Sequence, residues 1–134
     1  MTMARGTFEV KLTPQTDQPA EAVPGRMLID KSFHGALEAV STGQMLTAGT
    51  AVKGSAGYVA IEKVSGTLDG RSGTFALQHS GTMTRGEMAL SITVVPDSGT
   101  EQLTGLTGRM TINVAAGGHS YEFEYTLPET SEVR

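Results

Sequence analysis

A chain of 134 residues is the size of one domain, because a single hydrophobic core usually serves about 100 to 200 residues. Lys and Arg number 10 against 14 Asp and Glu, a net charge of −4, which argues against a nucleic-acid binder because such a protein needs a basic face. There are 17 Gly, 4 Phe, 3 Tyr, no Trp and no Cys; the missing Cys removes disulfides, thiolate zinc sites, iron–sulfur clusters and a cysteine nucleophile together.

Met1 to Phe8 holds no apolar signal-like core, and no run approaches the roughly 18 apolar residues of a membrane span. The expectation is a cytoplasmic protein with neither nucleic acid nor membrane as partner. Along the chain, period-2 alternation rich in Thr, Val, Ile and Tyr is cut by glycine-containing turns, the pattern of half-buried strands. Strands are predicted over 4–13, 26–34, 37–52, 57–68, 72–84, 87–96, 103–116 and 119–128, within one domain spanning 1–134. Between the first two, residues 13–25 contain Pro14, Pro19 and Pro24 and read as a long loop, and 129–134 read as a frayed tail. Eight strands joined mostly by hairpins point to an all-β fold, a closed barrel or a sandwich, with little or no helix.

Three turns set register. Asp69-Gly70, Arg85-Gly86 and Gly117-Gly118 suit two-residue hairpin loops, where positive φ favours Gly or Asp. Around Arg85-Gly86, Met83 falls opposite Met88, Gly81 opposite Leu90, His79 opposite Ile92 and Leu77 opposite Val94. Across Asp69-Gly70, Val64 falls opposite Phe75, Glu62 opposite Leu77 and Ala60 opposite His79. Glu62 and His79 are thereby placed on the apolar side. Around the third turn, Val114, Ile112 and Met110 are expected opposite Tyr121, Phe123 and Tyr125. A four-residue loop at 54–57 sets Gly49 against Glu62, whereas a bulge at Gly43 resets that parity and leaves the facing of Asp30, Lys31, His34 and Glu38 open.

Glu62 and His79 are diagonal neighbours on adjacent strands, about 7–8 Å apart at the backbone. Opposite them stand Gly49, Ala60 and Gly81, too small to fill a barrel. Burial raises the pKa of a carboxyl and a protonated imidazole beside it lowers it again, so the pair is a candidate for proton exchange, for orienting a ligand, or for satisfying one another as a buried polar pair. Tyr58, Phe75, Leu77, Leu90 and Ile92 supply apolar walls for a ligand, and Arg71, at one mouth with inward parity, is a candidate for an anionic headgroup or a solvated rim residue. His34 and His119 lie beside turns and read as solvent-exposed, and no metal-ligand spacing occurs. Met27, Met45, Met83, Met88 and Met110 fall mostly on core faces. A serine nucleophile elbow, a phosphate-binding loop and a dinucleotide fingerprint are absent, so no cofactor is expected.

The blocks Tyr58 to Glu62, Gly66 to Phe75, Leu77 to Gly81, Val94 to Thr100, Leu103 to Gly108 and His119 to Phe123 together resemble a family of small bacterial proteins known only as a domain of unknown function. The resemblance spans about Phe8 to Leu127. It implies an eight-stranded antiparallel closed barrel similar to allene oxide cyclase and the plant dirigent proteins, in which such a barrel steers a reactive hydrophobic molecule without a cofactor. It also implies homo-oligomers. Asp97 and Glu101 depart from the family's glycine-rich loop pattern. The leading functional expectation is a barrel that binds a small hydrophobic or amphipathic molecule. The alternatives are a cofactor-free isomerase or cyclase using Glu62 and His79, and a filled structural barrel that acts by homo-oligomerisation.

Overall fold

The structure, a computed structural model, describes residues 1–15, 24–115 and 117–128. Eight strands run in sequence order around one closed antiparallel barrel, each paired with its chain neighbours and β8 returning to β1. They are β1 (Thr2–Pro14), β2 (Gly25–Gly35), β3 (Leu37–Gly49), β4 (Ala56–Leu68), β5 (Arg71–Thr84), β6 (Glu87–Val94), β7 (Thr107–Ala115) and β8 (Gly118–Thr126). One three-residue 3-10 turn, Glu101–Leu103, is the only helical element among the described residues. No helix is long and apolar enough to cross a membrane among these residues.

The alternation read from the sequence is the wall of this barrel, since successive side chains of a strand point to opposite faces. The β4–β5 and β5–β6 ladders have the expected register: Glu62 faces Leu77, Ala60 faces His79, and His79 faces Ile92. Asp69 (φ 48) and Arg85 (φ 47) take the left-handed conformation at their turns, each followed by a positive-φ Gly.

Four expectations are corrected. Gly43, not Gly49, stands opposite Glu62, because β3 ends at Gly49 and Gly49 pairs with Ala56 across a longer loop. The last hairpin turns between Ala115 and Gly118, so Val114 faces His119, Ile112 faces Tyr121 and Met110 faces Phe123. This slip of two positions keeps the parity of both strands, but Val114, expected on the apolar face, is 66% exposed. β7 begins at Thr107 because residues 101–103 turn first. Thr13 and Pro14 belong to β1, whereas the rest of the expected loop from 16 to 23, and the tail at 129–134, lie outside the described residues.

The barrel is filled at one end only. At the end bearing the 35–37 and 69–70 turns, Phe33, Leu37, Leu68, Phe75, Tyr121 and Phe123 form a dry core. The 95–106 connection closes that end, inserting buried Leu103 and Leu106. It runs beside β5, with Val95 N–H donating to the Ala76 carbonyl at 2.9 Å and Thr100 N–H to that of Thr74 at 2.9 Å. Asp97 (φ 63) and Glu101 (φ 53) both adopt positive φ here, the conformation glycine takes most easily. Tyr121 pins the 35–37 turn: its hydroxyl accepts Leu37 N–H at 2.9 Å and donates to the His34 carbonyl at 3.0 Å. The seam between β6 and β7 is short, with only Ile92–Met110 and Thr93–Arg109 in register.

Candidate functional site

At the opposite end the barrel is open. Inward positions there carry Met27, Met45, Tyr58, Met83 and Met88 interspersed with Gly49, Ala56 and Gly81, and these residues line an apolar cavity of about 310 Å³. The small residues create the space, because none fills the volume that a large inward side chain would take. Tyr58 lies flat against Gly81, its direct partner across β4–β5: a Cβ on Gly81 would come within 2.5 Å of the Tyr58 ring.

Beneath the tyrosine sits a buried polar cluster that β2, β3, β4 and β5 each help to build. Lys31, Ser41, Glu62 and His79 are all buried, and Glu62 has no solvent exposure. Glu62 Oε2 accepts from Lys31 Nζ at 2.8 Å and meets His79 Nε2 at 2.5 Å, while Oε1 accepts from Ser41 Oγ at 2.5 Å. The Lys31 ammonium also lies over the rings of Phe8 and Phe33, 5.2 and 5.3 Å from their centroids, a stabilising cation–π arrangement for a desolvated charge. Burial by itself would raise the Glu62 carboxyl, but the His79 hydrogen bond, the Lys31 charge and hydrogen bond, and the Ser41 hydroxyl together hold it at about 2. Because Glu62 is ionised, His79 Nε2 carries the proton in their shared bond. His79 Nδ1 then faces the Tyr58 hydroxyl at 3.4 Å. Burial, followed by the negative charge of Glu62, raises the Tyr58 pKa.

Of the residues expected to make the site, Glu62 and His79 meet directly, and Tyr58 joins them to the cavity. Phe75, Leu77 and Ile92 are buried in the filled half, and Leu90 lies half-buried beside the β6–β7 seam. Arg71 is exposed at the filled end, remote from the cavity, because the mouth it occupies is closed by Leu103 and Leu106. His119 is half-buried and packs on Phe8 with ring centroids 5.1 Å apart, a correction to its expected exposure. His34 stays on the outer face between Glu9 and Glu38, each at 3.2 Å. Glu9, then Glu38, raises its pKa through these bonds. Among the described residues no cluster of His, Asp and Glu suits a metal ion.

Lys31 and Ser41 are the members that sequence reading missed. Their parity depended on whether Gly43 shifted the strand, and the alternation Ile29, Lys31, Phe33 offered the signal: a lysine in phase with two core residues. Of the methionines expected mostly on core faces, Met27, Met45, Met83 and Met88 line the cavity.

No functionally curated protein matches the sequence. A solved structure of a protein of unknown function from the DUF3224 family of Shewanella oneidensis MR-1 is similar at 53% identity, covering 97% of this chain and 99% of that one, with a TM-score of 0.90. The model of the family described as "Protein of unknown function (DUF3224)" matches residues 4–125. With nearly the whole barrel inside that match, the chain belongs to the DUF3224 family.

Proposed function

We propose that this barrel binds a small apolar or amphipathic molecule in its open half. The observation that carries the reading is the apolar cavity of about 310 Å³ walled by Met27, Met45, Met83, Met88 and Tyr58. That volume is near the lower end of the roughly 300–1,000 Å³ usual for small-molecule sites. An eight-stranded barrel can fill its interior with side chains; here Gly49, Ala56 and Gly81 occupy inward positions where larger residues would do so. Unbranched, polarizable methionines adapt to ligand shape and leave the walls apolar.

The test is saturable binding of N-phenyl-1-naphthylamine, a neutral fluorescent probe, alongside native mass spectrometry of the freshly purified protein. One-to-one binding is expected, weakened at least about tenfold in Met45→Glu, since a charge there must be desolvated. A wild-type protein with neither probe binding nor a co-purifying small molecule would sink the reading. The same spectrum reports whether the chain forms homo-oligomers.

A second reading, cofactor-free isomerisation or cyclisation by proton transfer, is favoured by one contact. Tyr58 lines the cavity and its hydroxyl meets His79, which rests on ionised Glu62. In this reading Glu62 orients the imidazole, and His79 exchanges the proton through Tyr58. Turnover of hydrophobic epoxides, enones or phenols that disappears in His79→Ala and Tyr58→Phe would support it; none in the wild type would count against it.

A further inference from the structure

We propose that the cavity takes a single-chain anionic amphiphile, tail inward, whose headgroup is held at the rim by Lys53 and Arg85. This rests on the reading of the cavity as a binding site and adds the chemistry and orientation of what enters it.

Two turns frame this sector of the mouth. The 50–55 loop springs from the paired residues Gly49 and Ala56, and the Arg85-Gly86 turn from strand positions just beyond the pair Met83 and Met88; all four of these residues line the cavity. The turns are fastened together, with Gly86 N–H donating to the Gly54 carbonyl at 3.0 Å and Arg85 N–H to Ser55 Oγ at 3.0 Å. Lys53 and Arg85 therefore stand side by side on one stretch of rim. Both are exposed, and among the described residues neither has an ion-pair partner. Glu87, next along, alternates with inward-facing Met88 and so belongs to the outer face. In a chain of net charge −4, two adjacent unpaired cations make a local field that favours anions.

Two large apolar side chains are exposed beside these cations: Val52, next to Lys53 in the same loop, at 51%, and Met88, on the cavity wall, at 66%. Such exposure of large apolar groups beside a pocket marks a surface that gains by being covered. The far end of the cavity offers an anion nothing comparable. Its walls are apolar, and the Lys31 charge beneath Tyr58 is already matched by Glu62. An anionic head is thus favoured at the rim and an apolar tail inside. At about 30 Å³ per water-sized group, the volume accommodates about ten such groups, which suits one chain of medium length and not a two-chain lipid.

The experiment compares decanoate and decyltrimethylammonium, below their micelle concentrations, and decanol, below its solubility limit, as competitors for N-phenyl-1-naphthylamine on wild type and on Lys53→Glu/Arg85→Glu. The double reversal should weaken decanoate about tenfold at low salt, leave decanol unchanged and strengthen decyltrimethylammonium, with the decanoate effect shrinking as salt rises. Both sites are exposed turns, so an unchanged thermal midpoint is expected and checks that the variant folds. Binding of all three ligands with no selective response to the reversal overturns this inference and leaves the binding site standing. Failure of the probe and all three ligands to bind wild type overturns both.

Discussion

Gly43 of β3 stands directly opposite Glu62 of β4, and the approach leaves no room for a side chain: a Cβ on Gly43 would lie 2.6 Å from Glu62 Cα and 2.2 Å from the Ile61 carbonyl oxygen. The glycine lets the two strands close in where the carboxylate has to reach Lys31, Ser41 and His79 at once. The obstructing atoms are backbone, which cannot swing aside.

Gly43→Ala is therefore expected to destabilise the barrel by about 3 kcal/mol, at or beyond the upper part of the range for overpacking. Urea unfolding monitored by circular dichroism measures it. A loss within about 0.5 kcal/mol would mean that the strands part without cost and that the close approach is incidental.

The ion pair beneath the cavity predicts strong coupling. Removing one partner of a buried pair leaves the other desolvated and typically costs about 3–5 kcal/mol. Lys31→Met and Glu62→Gln should each fall in or near that range. The double variant should be less damaging than their sum by at least about 1 kcal/mol, since each removes the reason for the other's penalty. Strict additivity in a double-mutant cycle would show that the Lys31–Glu62 contact at 2.8 Å carries no net energy.

Acid stability follows from the same carboxylate. The Glu62 pKa is lowered from 4.5 to about 2 on folding. A depressed folded-state pKa contributes stability that is present above the unfolded value and is lost as pH falls through the folded one, here between about pH 5 and pH 2. The linked free energy is on the order of 3 kcal/mol. Wild type should lose stability steeply over that window, and Glu62→Gln, already destabilised, should show a much flatter acid limb. Parallel limbs for the two proteins would rule Glu62 out as the source.

Tyr121 supplies the fourth test. Its hydroxyl satisfies the buried Leu37 N–H and reaches the His34 carbonyl across the 35–37 turn. Tyr121→Phe keeps the ring against Phe33, 5.6 Å between centroids, but orphans the donor, so a loss of about 1–3 kcal/mol is expected. Amide hydrogen exchange at Leu37 should accelerate in step with that loss. Unchanged protection at that amide would contradict the pinning role.

Much of this architecture was legible before any coordinates. Period-2 alternation and short turns are local properties, and a two-residue hairpin dictates the pairing of both flanking strands for as long as they run without a bulge. That is why Glu62 opposite Leu77 and His79 opposite Ile92 could be read by counting outward from Asp69-Gly70 and Arg85-Gly86. Counting failed across the longer 50–55 loop, where the partner of Glu62 moved from Gly49 to Gly43, and at the last hairpin, which turns between Ala115 and Gly118 and not at Gly117-Gly118.

Local pattern was enough for the all-β class, for most of the strands, and for the inward facing of Glu62, His79, Met83 and Met88, because each depends on neighbours a few residues away. Tertiary packing decided that Lys31 and Ser41 complete the carboxylate's shell, that Arg71 stands at the closed end, and that the methionine-lined cavity lies at the other. Those outcomes depend on closing the sheet, which brings β2 within reach of β4 and lets the 95–106 connection enter one mouth. Local alternation says which way a side chain points; only the closed wall determines what it meets there.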